Sequence, residues 1–274
     1  IFKNADLLKN IATERVISEF LKLICGEDAV KILDAYRETI AVIIPEITVM
    51  FNFNQNNIHH SYDLWQHTLT ALGTIEPNSI LRMTMLLHDI GKPFVKTTDN
   101  SGQSHFQGHQ LESKKIADKI LHRLRLPSDF INKTLLLIEY HDVRFNGSKK
   151  LMKKVMNVLG TDLTKQLLEV EYADISAQSE YQREEKLGYL KNAKTHLNEI
   201  IKDNECFKLS QLDINGKDVL NLGVKEGRDV GNILDYLLML VVDANVPNKK
   251  SILISKAEEY ICLLYTSDAA DELD

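Results

Sequence analysis

The chain of 274 residues is 44% hydrophobic and 26% charged, a composition that favours two or three small domains with buried cores and excludes a fibrous or disordered protein. A formal net charge of -6 does not favour wholesale nucleic-acid binding, although it allows local basic patches. Three scattered cysteines exclude a disulfide framework, and no signal pattern or membrane-length apolar stretch occurs, so we expect a cytoplasmic protein.

Helical periodicity dominates and no convincing alternating strand or hairpin occurs, so we predict an all-α, multi-helical fold. Thr13 is expected to cap a first helix that stops at Gly26, and a second helix is expected over about 27–43, before Pro45. Polar segment 52–60 is irregular and is the preferred domain boundary. Further helices are expected at 62–75, 79–90, 108–125, 128–142, 149–159, 161–179, 181–204 and 228–243. Short helices separated by glycines are expected just before the helix over 228–243.

The chain is expected to divide into four parts. These are N-terminal helices over 1–51, a histidine-rich helical bundle over 52–180, a C-terminal helical domain over 181–261 and a tail over 262–274. The tail opens with the segment CLLYTSDAADE, which resembles a translated sequencing adapter, and the chain begins with Ile1 rather than Met. We therefore expect the tail to be non-native and the N-terminal part to be truncated.

Histidines are concentrated in one part of the chain, because eight of the nine fall between His59 and His141. A lone His-Asp doublet proves little, since random order gives roughly 0.7 of them in a chain of this composition. His88-Asp89, however, ends an apolar helix that Gly91 stops, and an ionised aspartate there is costly unless a cation or hydrogen bonds compensate it. Imidazole nitrogen and carboxylate oxygen suit first-row divalent ions, so the pattern predicts a metal site.

Residues His67, His88-Asp89 and Asp174 reproduce the H…HD…D pattern of the HD-domain metal-dependent phosphohydrolases. The flanking segments resemble the bacterial tRNA nucleotidyltransferase (CCA-adding) family with an embedded HD domain. These segments are NIHHSYDLWQH (57–67), HDIGKP (88–93), DNSGQSHFQGH (99–109) and LDINGKD (212–218), and TERVISE (13–19) resembles the family's neck motif. The resemblance implies an RNA-binding-like neck, an HD domain and a tRNA-binding-like C-terminal domain. The family's catalytic head motif does not occur, so we expect a fragment that does not add CCA by itself.

The resemblance also implies roles for individual residues. His67, His88, Asp89 and Asp174 would hold a first divalent ion (Mg, Mn or Ni), and Asp89 would bridge to a second ion if His109 and His141 complete that site. The metal would lower the pKa of a bound water and neutralise charge on a phosphoryl oxygen. Lys92 would meet a substrate phosphate, or alternatively cap the dipole of its helix. The implied substrates are nucleotides with 2',3'-cyclic or 2'-phosphate ends, and the implied partner is the tRNA 3' end.

Alternatives remain open at this stage. The histidines and aspartates could be buried, hydrogen-bonded structural groups, and His105 is equally a pocket group or a loop residue. The lysines of 149–154 could line a phosphate backbone or form a solvated helix face, and the glycines of 223–231 could approach phosphate or mark helix ends. In function, the alternatives are a tRNA-binding module with a silent HD site and a free-standing HD-domain nucleotide phosphohydrolase.

Overall fold

The computed structural model describes residues 2–59, 62–224 and 227–271, without the side chains of 2 and 264–271. Helices make up almost all the regular structure in these ranges, which confirms the predicted all-α class. The exception there is a two-residue antiparallel ladder between β1 (Thr97–Thr98) and β2 (Ser104–His105). Two residues are too short for alternation to be visible in the sequence, so this ladder was not predicted.

The N-terminal helices differ from the prediction in two details. They are α1 (Thr13–Ile24), α2 (Ala29–Ala35) and α3 (Arg37–Ile43), flanked by 3-10 turns at Phe2–Asn10 and Pro45–Met50. The predicted capping by Thr13 is wrong, because Thr13 already lies in the helix and extended Ala12 precedes it. The single helix over 27–43 is also wrong. Tyr36, with φ -118° and ψ 23°, ends one helix and begins the next, and the aliphatic pattern runs through that break without interruption.

Five further helices follow the irregular segment after Phe51. They are α4 (Leu64–Thr74), α5 (Ser79–Leu87), α6 (Lys92–Val95), α7 (His109–Arg123) and α8 (Ser128–Tyr140). Asp63 and Asn78 cap α4 and α5 by accepting hydrogen bonds from backbone amides of the first turn. Every residue from 81 to 87 is buried, so α5 is enclosed on all sides and its C-terminal end lies inside the protein.

The remaining helices are α9 (Lys149–Ala177), α10 (Arg183–Lys202), α11 (Gly216–Leu220), α12 (Arg228–Val242) and α13 (Lys250–Asp271). Gly160 interrupts α9 with φ 71°, a left-handed conformation that favours glycine, and this confirms the predicted break between 159 and 161. The chain folds into two compact units, unit 1 (1–145 and 161–191) and unit 2 (146–160 and 192–274). The sequence-based boundaries after 51, 180 and 261 stay predictions.

Unit 2 has its own apolar core between α12 and α13. Ile233 and Leu237 of α12 and Leu253 and Ala257 of α13 are completely buried there. No helix in the described part of the chain is long and apolar enough to cross a membrane. The side chains of 264–274 lie outside the described residues, so the adapter origin of 262–274 stays a prediction.

Candidate metal centre

The six predicted metal ligands converge inside unit 1. His67 lies on α4, His88-Asp89 follow α5, His109 opens α7, His141 follows α8 and Asp174 lies on α9. Five of the six are buried, and the side chain of Asp174 is 14% exposed. These six side chains are spread over more than a hundred residues of sequence, yet they meet at one buried point, with Asp174 at its margin.

The first group contains His67, His88, Asp89 and Asp174, whose ligand atoms all lie within 4.8 Å of one another. His67 Nε2 is 2.9 Å from Asp174 Oδ1, and His88 Nε2 is 3.4 Å from the same oxygen. Asp89 Oδ2 is 3.2 Å from His88 Nε2 and 3.5 Å from His67 Nε2. Two imidazoles and two carboxylates thus surround one small space.

The second group shares Asp89 with the first. Asp89 Oδ1 is 3.2 Å from His109 Nε2 and 3.5 Å from His141 Nε2, and these two nitrogens are 3.1 Å apart. The ligand atoms of this group also lie within 4.8 Å of one another. Asp89 therefore turns one carboxylate oxygen to each group, which is the geometry of a bridging ligand.

Backbone carbonyls determine which imidazole nitrogens face this space. Nδ1 contacts a carbonyl oxygen in His88 (Met85, 2.7 Å), His109 (Phe106, 2.9 Å), His141 (Ile138, 2.7 Å) and His67 (Ala177, 3.3 Å). Because a carbonyl only accepts, Nδ1 donates its proton and Nε2 of each ring faces the carboxylates, where it can bind a cation once it carries no proton. His88 Nε2 and Asp89 Oδ1 are buried and make no hydrogen bond within the described residues. A divalent cation would satisfy both atoms, so the donor set fits a metal ion.

The pKa values of His88 and Asp89 are strongly displaced. Burial works against the charged form of His88, but Asp89 and Asp174 outweigh it and raise the pKa of His88 to about 10. Burial likewise works against ionised Asp89, yet the positive charges of His88 and Lys92 hold its pKa well below the usual value. Without a metal, His88 holds a proton near neutral pH, and metal binding must displace it.

A glycine permits the close approach of the helices that carry the ligands. A Cβ atom on Gly91 would lie 2.4 Å from Ser113 N and 2.6 Å from His109 O, both backbone atoms of α7. Gly91 N also donates to Ser113 Oγ at 2.8 Å. The predicted helix stop at Gly91 is wrong, because α5 already ends at Leu87. Gly91 instead lets the turn after Asp89 pack directly on the start of α7.

Lys92, the predicted phosphate contact, is buried beside the cluster. Its Nζ lies 2.6 Å from Asp89 Oδ2 and donates to Gln55 Oε1 at 3.1 Å. Lys92 is the first residue of α6 and its ammonium contacts side chains, which argues against the alternative of a helix-dipole cap.

Other sequence candidates lie elsewhere. His105 is half exposed in the β ladder and pairs with Asp99 at 2.7 Å. The lysines of 149–154 are paired within unit 2: Lys149 and Lys153 contact Glu205, and Lys150 and Lys154 contact Asp243. The 223–231 segment is interrupted by 225–226, which lie outside the described residues.

Three polar residues at the site were not singled out from the sequence. Gln55 contacts Lys92, and Gln178 Nε2 donates to Asp174 Oδ2 at 2.7 Å. Glu171 is buried, and burial together with the charges of Asp174 and Asp142 raises its pKa well above the usual value. Glu171 and Gln178 both had a sequence signal, because they stand three residues before and four residues after Asp174 and thus on the same helix face.

Fold and site together define an all-α protein with a buried histidine and aspartate cluster that could hold divalent cations. The tRNA nucleotidyltransferase domain 2 family model matches residues 109–257, so the chain belongs to that family. A second model, described as a probable RNA- and SrmB-binding site of polymerase A, matches residues 1–51.

The names of similar proteins agree with this family. The CC-adding tRNA nucleotidyltransferase of Thermus thermophilus is 29% identical over 251 residues, 87% of this chain and 55% of that protein. The A-adding enzyme of Deinococcus radiodurans is 30% identical over 48% of this chain and 32% of its own length. The multifunctional CCA protein of Legionella pneumophila (strain Paris) is 26% identical over 54% of this chain and 38% of its own length. The chain is thus related to CCA-adding enzymes and spans between about a third and about half the length of these relatives.

Proposed function

We propose that this chain carries an HD-type, divalent-metal-dependent phosphohydrolase site that acts on 2',3'-cyclic or 2'-phosphate ends. The observation that carries the proposal is the orientation of four imidazoles, whose Nδ1 atoms face backbone carbonyls while their Nε2 atoms face Asp89 and Asp174. With Nδ1 donating to a carbonyl, an unprotonated Nε2 and the carboxylate oxygen that it faces are both acceptors, and a cation between them satisfies both.

The residues divide the chemistry between them. A bound divalent ion supplies an activated water and compensates negative charge on a phosphoryl oxygen. His67, His88, Asp89 and Asp174 would hold it, and Asp89, His109 and His141 would hold a second ion. Asp89 also pairs with Lys92, whose buried ammonium would contact a substrate phosphate.

We also propose tRNA as the partner that presents such an end. The relatives are named as tRNA nucleotidyltransferases, and the match over 1–51 is to an RNA-binding region. Hydrolysis of the 3'-O–P bond of a 2',3'-cyclic phosphate would free the 3'-hydroxyl that any nucleotide addition to an RNA end requires, and hydrolysis of the remaining 2'-phosphate would restore the 2'-hydroxyl beside it. Hydrolysis at this site would then prepare an end for nucleotide addition.

The test is hydrolysis of 2',3'-cyclic AMP by the purified protein with added Mg, Mn or Ni. We expect turnover, and we expect Asp89→Ala to abolish it while helicity by circular dichroism stays unchanged. Hydrolysis that persists in Asp89→Ala, or absence of turnover with every metal although metal is bound, would refute the phosphohydrolase proposal. A silent site on an RNA-binding module would then be the better description.

A further inference from the structure

A half-buried lysine lies close to the metal centre and has no part in holding the metal. Lys186, in the first turn of α10, donates to Gln178 Oε1 at 2.6 Å, and its Nζ is 3.4 Å from His59 Nδ1. Both partners are neutral, and within the described residues no carboxylate forms an ion pair with Lys186. A half-buried ammonium without a counter-ion carries a desolvation cost that an anionic ligand would offset.

Hydrogen bonds connect this lysine to the candidate metal ligands. Gln178 accepts from Lys186 through Oε1 and donates through Nε2 to Asp174 Oδ2 at 2.7 Å. One side chain therefore separates the Lys186 ammonium from a carboxylate of the metal centre. Burial, aided by the charges of Arg144 and Lys92, lowers the pKa of Lys186, while Asp174 and Asp142 act in the opposite direction.

The segment 55–59 links Lys186 to Lys92 at the same centre. Its first residue, Gln55, accepts from Lys92, and its last, His59, lies against Lys186. Ser179 fixes this end of the segment, because its amide donates to His59 O at 2.8 Å and its hydroxyl to Ile58 O at 2.7 Å. Two cations are thus held near the two carboxylates, Lys92 by Asp89 and Lys186 through Gln178 by Asp174.

An exposed aromatic ring adjoins this arrangement. The ring of Tyr181 lies 5.0 Å from the ring of His59, tilted by 56°, and Tyr181 is 45% exposed. Unpaired bases stack on such rings, and base stacking tolerates any base. Beside a phosphohydrolase site, a cation can bind the phosphate of a nucleotide and an aromatic ring can stack on its base.

We propose that Lys186 binds the phosphate of a nucleotide substrate and that Tyr181 stacks on its base, a reading that rests on the proposed function. Gln178 is then a positioning residue that holds Lys186 and Asp174 in a fixed relation. Because phosphate and base contact different residues, loss of one contact leaves the other measurable. The substrate class is a nucleotide with an unpaired base, such as the exposed end of an RNA chain.

The phosphate contact is tested by calorimetric titration of the Mn-loaded protein with adenosine 3'-monophosphate, a nucleotide outside the proposed 2'- and 2',3'-cyclic substrates, and with inorganic phosphate. We expect Lys186→Met to raise the Kd of both ligands at least tenfold with an unchanged metal content. Lys194→Met, an exposed lysine of the same helix, is the matched control and should leave both Kd values unchanged. An unchanged Kd in Lys186→Met, loss of its metal, or no ligand binding by the unmodified protein would overturn the inference.

The base contact needs a separate comparison. Tyr181→Ala should raise the Kd of adenosine 3'-monophosphate about tenfold and leave that of inorganic phosphate unchanged, while Tyr181→Phe should restore binding. Equal losses for both ligands, or no recovery with Phe, would refute stacking. These titrations involve no turnover, so failure of the proposed hydrolysis would be seen independently as bound nucleotide without cleavage of 2',3'-cyclic AMP.

Discussion

Gln178 holds one oxygen of Asp174 and thereby orients the other. Its Nε2 donates to Asp174 Oδ2 at 2.7 Å, and Asp174 Oδ1 is left 2.9 Å from His67 Nε2. The two residues stand one helical turn apart at the end of α9, so the local geometry of the helix enforces the contact. Orientation by an outer hydrogen bond is how proteins tune the affinity of a metal site.

The first prediction follows from this contact. Gln178→Ala frees the Asp174 carboxylate to rotate, and we expect the dissociation constant for Mn²⁺ to rise about 10–100-fold. Competition with a fluorescent chelator measures it. Ser176→Ala changes a residue of the same turn whose hydroxyl bonds only to the helix backbone at Tyr172 O, and it should keep the original affinity. Equal affinities in Gln178→Ala and the unmodified protein would contradict the assigned role.

The second prediction concerns the close contact between Gly91 and α7. In Gly91→Ala the new methyl group would meet Ser113 N and His109 O at less than 3 Å, and backbone atoms cannot move aside cheaply. Overpacking of this kind costs about 1–3 kcal/mol of unfolding free energy. Urea denaturation of the metal-free protein measures the loss.

Gly188→Ala is the control for this experiment. Gly188 lies within α10, and a Cβ there meets nothing within 4 Å. Because alanine is the better helix former, this variant should gain about 0.5–1 kcal/mol. If both variants shift the free energy of unfolding in the same direction, steric contact at Gly91 is not the cause.

Much of the fold and the site follows from local sequence signals. Helix type was predictable because apolar periodicity is local, and the break at Gly160 was visible as a glycine between two periodic segments. The cap assigned to Thr13 was wrong. The candidate ligand types could be proposed because a buried His-Asp pair at a helix end needs compensation. The two-residue ladder and the break at Tyr36 leave no periodic trace, so they could not be predicted.

The contacts around the ligands depend on tertiary packing. Gln55 and Lys92 are 37 residues apart, and His59 and Lys186 are 127 apart, so no spacing rule connects them. For the lysines of 149–154, the spacing was visible in the sequence but the partners were not. Their i, i+3 and i, i+4 spacing left a phosphate-binding face and a solvated helix face open. It gave no sign of Glu205 and Asp243, far along the chain, which supply the counter-charges.

The third prediction concerns the pH dependence of this lysine pairing. Burial opposes ionisation of Glu205, but hydrogen bonds from Lys149 and Lys153 outweigh it and lower its pKa below 4.5. A folded-state pKa below the unfolded one means that ionised Glu205 stabilises the fold above pH 4.5, and that this stability is lost as pH falls through the folded-state pKa.

Glu205→Gln should therefore lower the free energy of unfolding at pH 7 by about 1–2 kcal/mol, and the deficit should shrink as the pH falls below 4.5. Denaturant titrations across this range measure the difference. Glu199→Gln alters a more exposed partner of Lys149 and should have a smaller effect at pH 7. A deficit for Glu205→Gln that does not change with pH would rule out the charge as its origin.

The fourth prediction separates the substrate contact of Lys92 from metal binding, and it rests on the proposed hydrolysis. Lys92→Met keeps the length of the buried side chain but removes the ammonium 2.6 Å from Asp89 Oδ2. Loss of one positioned donor to a phosphoryl oxygen costs about 10²–10³-fold in rate, so kcat/KM for 2',3'-cyclic AMP should fall by about that factor.

Metal content should stay unchanged, because six other side-chain ligand groups surround the site. Lys96→Met, whose Nζ bonds to Asn54 O at 2.9 Å, is the control and should retain activity. Full activity in Lys92→Met would mean that this lysine serves only as the buried counter-ion of Asp89.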